Sequence, residues 1–204
     1  MQREEKSERS RRAVLDAALH LFAHQGYRAT AVRDIADRAK VSTGNLYHHF
    51  PDKEAIFRAL LDEYMEIVET RRFPFTRVFH ETRFPDNIEA LGYAARASVK
   101  QYRDYLALFY VDVIEFGGTH IQKFYESMSG RFTRFFAEQG SLEDVQSRLR
   151  PSVSPDGALL LTSRVFFNYF SLEILFGVHE PFGKSTEETV NQIADTIRNG
   201  ICAR

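Results

Sequence analysis

Residues 30–57 read TAVRDIADRAKVSTGNLYHHFPDKEAIF, and this stretch decides the fold. It spells a short helix, a tight turn and a second short helix. Thr30 stands where a helix starting at Ala31 or Val32 needs a cap, and Val32, Ile35, Ala36 and Ala39 share one face of that helix. Lys40-Val41 ends it, and Ser42 or Thr43 caps the next. In the second helix Leu46 and Phe50 lie four apart and face a core. Pro51 stops it, because its ring forbids continuation and biases Phe50 away from helical geometry. Asp52 caps a third helix with Ile56, Leu60, Tyr64 and Ile67 as its apolar stripe.

The second helix has almost no aliphatic side chains beyond Leu46; its other positions are Thr43, Gly44, Asn45, Tyr47, His48 and His49. Small, polar and aromatic groups suit a helix that enters the major groove of DNA, where base edges offer donors and acceptors. Lys53 opposes the dipole in the first turn of the third helix and reads as the partner of a phosphate.

At these residues the chain resembles the TetR family of bacterial transcriptional repressors. IADRAKVSTGNLYHHFPDKEAIF carries the family's spacing of Ile-Ala, Val-Ser, Leu-Tyr, Phe and Lys-Glu without a gap, and Phe22-Ala-His-Gln-Gly26-Tyr27 fits the end of the family's first helix. The resemblance covers about residues 10 to 60. Two positions depart from it: Lys40 stands where Gly is frequent, and Asn45 where Thr or Ala is frequent. The resemblance, with position on the helix, implies that Thr43, Gly44 and Asn45 meet base edges and that His48 reaches a base or phosphate. It implies phosphate contacts for Ser42, Tyr47, His49 and Lys53, and for Arg33 of the preceding helix.

With 204 residues, 44% hydrophobic and 27% charged, the chain is long enough for a small head and a larger body. The expected division is a helix-turn-helix DNA-binding head over 1–58 and a helical ligand-binding and dimerisation body over 59–204. Charge divides the same way: 1–58 hold 11 Lys/Arg against 8 Asp/Glu, whereas 59–204 hold 16 against 20. The cations favour the segment expected to meet DNA. No apolar run approaches the ~20 residues of a membrane span. The charged MQREEKSERSRR start lacks the apolar segment of a signal peptide, and one cysteine, Cys202, suits a reducing cytoplasm. The tract from Arg3 to Arg12 mixes both signs and reads as a disordered arm.

The fold expected is all-α, since no stretch alternates long enough to require a sheet. Helices are predicted over 11–25, 52–72, 86–102, 104–116, 119–138 and 155–176, and from a Ser185 cap through 201. Residues 141–150 read as a short helix or loop. The segment FPFTRVFHETRFPDN, with two prolines, reads as a loop with at most one helical turn. In the 155–176 helix the apolar residues surround almost the whole circumference, and a helix apolar all round must be buried all round. A second copy supplies the extra face most simply. The last helix adds Val190, Ile193, Ala194, Ile197 and Ile201 on one stripe. The resemblance implies the same: a homodimer through the last two long helices. Two recognition helices about 34–36 Å apart then read a near-palindromic double-stranded operator.

The middle of the chain is crowded with rings, among them Phe109, Phe116 and Phe124, with polar residues interspersed. An apolar cavity with a few polar anchors is what a small-molecule site needs. In TetR-like repressors such a cavity lies in the body and ligand binding releases DNA. The candidate lining is Arg96, Tyr102, Phe109, Phe116, His120, Phe124, Phe166, Tyr169, Phe170 and Glu173, for a bulky apolar or acyl-type inducer with its polar head at Arg96 or Arg103.

No cofactor, metal or catalytic group is expected. His20 and His24 lie four apart on one helix, but the intervening Leu-Phe-Ala lacks a zinc protease's Glu, and no third ligand stands nearby in sequence. P-loop, dinucleotide and nucleophile-elbow motifs are missing. A dimeric ligand sensor without DNA function and a transcriptional activator are the alternatives to a repressor.

Overall fold

The computed structural model describes residues 2–138 and 140–202, without the side chains at 2, 3, 129 and 201. Among the described residues the chain forms eleven helices: α1 (Gln2–Gln25), α2 (Val32–Ala39), α3 (Thr43–His49), α4 (Lys53–Glu69), α5 (Pro74–Glu81), α6 (Ile88–Gln101), α7 (Arg103–Phe116), α8 (Gln122–Glu138), α9 (Leu142–Arg148), α10 (Pro155–Ile174) and α11 (Thr186–Ile201). The only β feature among them is an isolated bridge, Leu149 with Cys202. No described helix is long and apolar enough to cross a membrane.

Two local expectations fail. The 3–12 tract is helical, because its alternating charges pair along the helix and across to α4: Arg11 with Glu8 at 3.7 Å, Arg12 with Asp16 and with Glu63. The Asp16 hydrogen bond first, then Glu63, holds the Arg12 guanidinium above its ordinary range. Residues 74–81 form a helix rather than a loop. Pro74 sits at its first position, where a missing N–H removes no bond, and Phe75 and Phe79 are buried along one face.

The chain folds as two compact units, and they do not divide at residue 58. Unit 1 joins residues 1–66 to 104–123; unit 2 joins 67–103 to 124–204. In unit 1, α1 packs on α2 and α3. Its core takes Val14, Ala18 and Phe22 from α1, Ile35 and Ala36 from α2, Leu46 from α3, and Ile56, Phe57, Leu60 and Tyr64 from α4. Helix α7 adds Tyr105, Leu108 and Phe109, with Tyr105 stacked on Tyr64 at 5.6 Å. Burial pushes the Tyr105 phenol up to about 12. Sequence order concealed this arrangement, since α7 lies some forty residues beyond α4.

In unit 2, α6 packs against α5, α10 and α11. The crossing is close at Gly92, where an added Cβ would lie 2.7 Å from Phe166 Cε1 and 3.0 Å from Val190 Cγ1. Arg198 Nη2 of α11 donates to both carboxylate oxygens of Glu89 of α6, each at 2.7 Å, a charge-assisted link between the two helices. The Ser185 cap expected at α11 is present, and α10 has a cap of its own. Ser154 Oγ accepts from Gly157 N–H, and Ser185 and Glu188 cap reciprocally. The α11 stripe of Val190, Ile193, Ala194 and Ile197 is buried within its own unit; Ile201 lies outside the described side chains.

Candidate nucleic-acid interface

The α2–α3 turn is built by backbone geometry. Lys40 adopts a left-handed conformation, φ 57 and ψ 40, and ends α2. Val41 N–H returns to Ala36 O at 3.0 Å, closing the helix end. The position therefore favours glycine. Lys40→Gly is expected to stabilise unit 1 by about 0.5–1 kcal/mol, read as a higher denaturant midpoint at unchanged slope.

Thr30 does not cap α2. It is fully buried, and its hydroxyl donates back to Gly26 O at 2.8 Å. Asp34 performs the cap instead, accepting from Ala31 N–H at 3.1 Å. At α3 the cap is Ser42, whose Oγ accepts from Asn45 N–H at 3.1 Å. Leu46 is buried in α3, with Phe50 following it. Opposite them Ser42, Thr43, Gly44, Tyr47 and His48 are exposed, Tyr47 at 52%. Nothing in the chain requires a glycine at 44, since the nearest atom to an added Cβ is Ser42 Oγ at 4.0 Å. A small residue there leaves room for an outside surface.

Three expected contacts are modified by their surroundings. Ser10 Oγ of α1 donates to Asn45 Oδ1, so Asn45 offers an outside partner its amide N–H groups rather than its carbonyl. His49 is half-buried, and its Nε2 is buried with no hydrogen-bond partner. Burial first, then His48 and Arg11, holds its imidazole below the ordinary range. Lys53 departs furthest from expectation. Its ammonium donates to Tyr27 O at 2.7 Å and Thr30 O at 2.8 Å and sits 4.1 Å from the centre of the Tyr27 ring. Burial lowers its pKa. Lys53 therefore holds the α1–α2 turn, and these carbonyls supply the negative charge that the sequence reading gave to a phosphate.

Arg33 is 84% exposed and lies 3.7 Å from Asp37. The two cations should behave differently. Arg33→Ala is expected to reduce the salt slope of DNA binding by about one. Lys53→Ala is expected to leave that slope unchanged and to lower unit 1 stability by about 1–3 kcal/mol, because two carbonyls lose their donor. Salt-titrated DNA binding and urea melts distinguish them.

The ten candidate ligand residues fall in both units. Phe109, Phe116 and His120 belong to unit 1; the other seven belong to unit 2. Phe116 and His120 join Tyr27 and Phe57, with centroids at 4.6 Å for Phe116–Tyr27, 5.0 Å for Phe57–Phe116 and 5.7 Å for Phe57–His120. Their rings fill the seam between α4 and α7. Around that seam Asp112, fully buried, accepts from His120 N–H and Ile121 N–H and pairs with His120 Nδ1 at 2.6 Å. His120 Nε2 lies 3.5 Å from Glu54 of α4, and Arg28 pairs with Glu115 at 2.7 Å. Ser10 and the Arg28–Glu115 pair link segments distant in sequence and leave no local signal, whereas Asp112 closes a local corner to His120 and Ile121 that the Gly117-Gly118 break, both at positive φ, marks.

In unit 2, Phe166 and Phe170 are fully buried and stacked, and Tyr169 OH reaches Thr189 Oγ1 at 3.4 Å. Phe124 is also buried, with Arg131 over its ring at 5.4 Å. Tyr102 packs on Phe73 at 5.4 Å. Arg96 and Glu173 pair at 2.9 Å, and that bond above all raises the Arg96 pKa. Arg96 Nε is buried with no hydrogen-bond partner, the one polar atom among the ten candidates left unsatisfied in the described residues.

Residues 14–60 match the family model described as bacterial regulatory proteins, tetR family. Over 102 residues the chain is 52% identical to the HTH-type transcriptional repressor KstR2 of Rhodococcus jostii (strain RHA1), which covers 46% of this chain and 48% of that protein. It is 38% identical over 99 residues to KstR2 of Mycobacterium tuberculosis (strain ATCC 25618 / H37Rv), covering 45% and 48%. The chain thus spans about half the length of these curated relatives. The fold matches a TetR family transcription regulator from Marinobacter aquaeolei VT8 with a TM-score of 0.66 at 16% identity, covering 100% of both chains. It matches the ketosteroid transcriptional regulator KstR2 of Mycobacterium tuberculosis with a TM-score of 0.59 at 20% identity, covering 95% of both. At such identities the likeness is one of fold.

Proposed function

We propose that this chain, a member of the tetR family of bacterial regulatory proteins, is a ligand-responsive transcriptional repressor that grips a near-palindromic operator as a dimer. The observation that carries this reading is α3. It has one buried side chain, Leu46, and turns Thr43, Gly44, Tyr47 and His48 outward from a turn held on both sides. In this reading Thr43, Gly44 and the Asn45 amide meet base edges, while Ser42, Tyr47 and Arg33 meet phosphates.

One α3 covers only a few base pairs, so specific repression needs a second copy. Helix α10 supports a dimer. Leu161, in its second turn, and Phe176, just past its C-terminal end, are 51% and 53% exposed. Val165 and Leu172 lie between them at helical spacing and are half-buried. Because the α11 stripe is buried within its own unit, α10 supplies the apolar seam and α11 contributes its polar outer face.

The inducer is assigned to unit 2, as a bulky apolar or acyl-type molecule with a polar group directed to Arg96. Two observations support this: the unsatisfied Arg96 Nε, and the likeness in fold to a ketosteroid transcriptional regulator. The chain is continuous from unit 2 into α7, whose Asp112–His120–Glu54 contacts lead to the first turn of α4. A shift of α7 therefore bears on the head.

Selection of genomic fragments by the purified full chain, followed by binding measured against salt, tests the reading. Recovery of a near-palindrome whose affinity falls steeply with salt is expected. Enrichment of no sequence at low salt, from protein shown by mass spectrometry of the denatured sample to carry no small molecule, overturns it.

A further inference from the structure

His20 and His24 lie four apart on α1 with no third ligand near them in sequence. The fold supplies one. Asp104, in the first turn of α7, comes to the same face of α1, and one ligand atom from each of the three residues lies within 4.8 Å of the others. Among the described residues this is the one place where three such groups converge. We infer that His20, His24 and Asp104 form a site for a divalent late first-row transition-metal ion, zinc being the type.

Four-coordinate zinc with bonds of about 2.0–2.2 Å holds neighbouring ligand atoms about 3.3–3.6 Å apart. His24 Nε2 and Asp104 Oδ1 are already at 3.4 Å. The His20 and His24 rings lie 4.5 Å apart at 36°, so side-chain rotation alone brings the third atom in. Two imidazoles and one carboxylate favour zinc, cobalt, nickel and copper over magnesium and calcium, which prefer all-oxygen shells. The His24 and Asp104 side chains are 47% and 30% exposed, which lets an ion enter and leaves a fourth position to water. Arg38 opposes the added positive charge; the Asp104 carboxylate offsets it. All three ligands lie in unit 1, and the ion ties the last turns of α1 to the first turn of α7. The site is independent of the DNA-binding reading.

The test is titration of the full chain, free of any histidine tag, with Co²⁺ followed by displacement with Zn²⁺. One equivalent per chain is expected, with the visible absorption of four- or five-coordinate cobalt. His20→Ala and His24→Ala are each expected to weaken binding by at least about tenfold, and Asp104→Asn by about tenfold. Zn²⁺ is expected to raise the thermal midpoint of the parent chain and not of His24→Ala. His48→Ala/His49→Ala is expected to retain the ion. Binding unchanged in both His20→Ala and His24→Ala, binding lost instead in the His48/His49 variant, or none by about 1 mM metal overturns the inference. Circular dichroism accompanies each variant; His24, the more exposed position, carries the test if His20→Ala does not fold.

Discussion

Asp112→Ala is expected to destabilise unit 1 by about 3–5 kcal/mol, the largest effect of any single polar substitution in that unit. The carboxylate is fully buried and satisfies two backbone N–H groups and the His120 ring. Removing it leaves those donors without an acceptor, and alanine cannot fill the space. Asp112→Asn keeps the shape and one acceptor oxygen, so its loss should be smaller. Native-state hydrogen exchange reads the result by location: in Asp112→Ala the amides of residues 118–122 and the start of α4 should lose protection together. If protection falls at 118–122 and α4 is untouched, His120 does not couple the corner to the head. In the intact chain DNA affinity should drop with head stability, since Glu54 lies one residue past Lys53, which holds the α1–α2 turn.

Phe166→Ala is expected to cost unit 2 about 3–5 kcal/mol, because a fully buried ring leaves a cavity as well as lost transfer energy. Gly92→Ala is expected to cost about 1–3 kcal/mol, since the new Cβ meets Phe166 at 2.7 Å and Phe166 has no solvent side to yield toward. The double variant should cost less than the sum of the two, because the Cβ enters space the ring has vacated. A coupling of about 1 kcal/mol or more in urea melts supports direct contact. Additive losses contradict the α6–α10 crossing described above. The same cycle tests whether Phe166 packs or lines a ligand site: a lining ring permits Gly92→Ala with little penalty.

What was legible in the sequence lies where a local rule decides structure. The α2–turn–α3 unit follows from Ile35, Ala36, Leu46 and Pro51, since helical periodicity and a proline stop act within a few residues. The Ser185 cap was readable for the same reason. The exposed chemistry of α3 was visible because a helix with one buried aliphatic has little else to offer than an outward face.

The rest depended on which distant segments meet. Lys53 was assigned a phosphate because its helix dipole called for negative charge nearby; only the folded chain shows the carbonyls of Tyr27 and Thr30 in that place. Asn45 was read as free to accept until Ser10 of α1 reached it. Phe116 and His120 share composition with any pocket lining, and tertiary packing alone put them against Phe57 and Tyr27. His20 and His24 lacked a third ligand along the chain and acquired Asp104 through space. Sequence by itself determined most of the helices, the Ser185 cap and the chemistry of the recognition face, because those depend on neighbours three or four residues apart. Tertiary structure decided the partners of each charge and ring, because contacts between residues eighty positions apart leave no periodic trace.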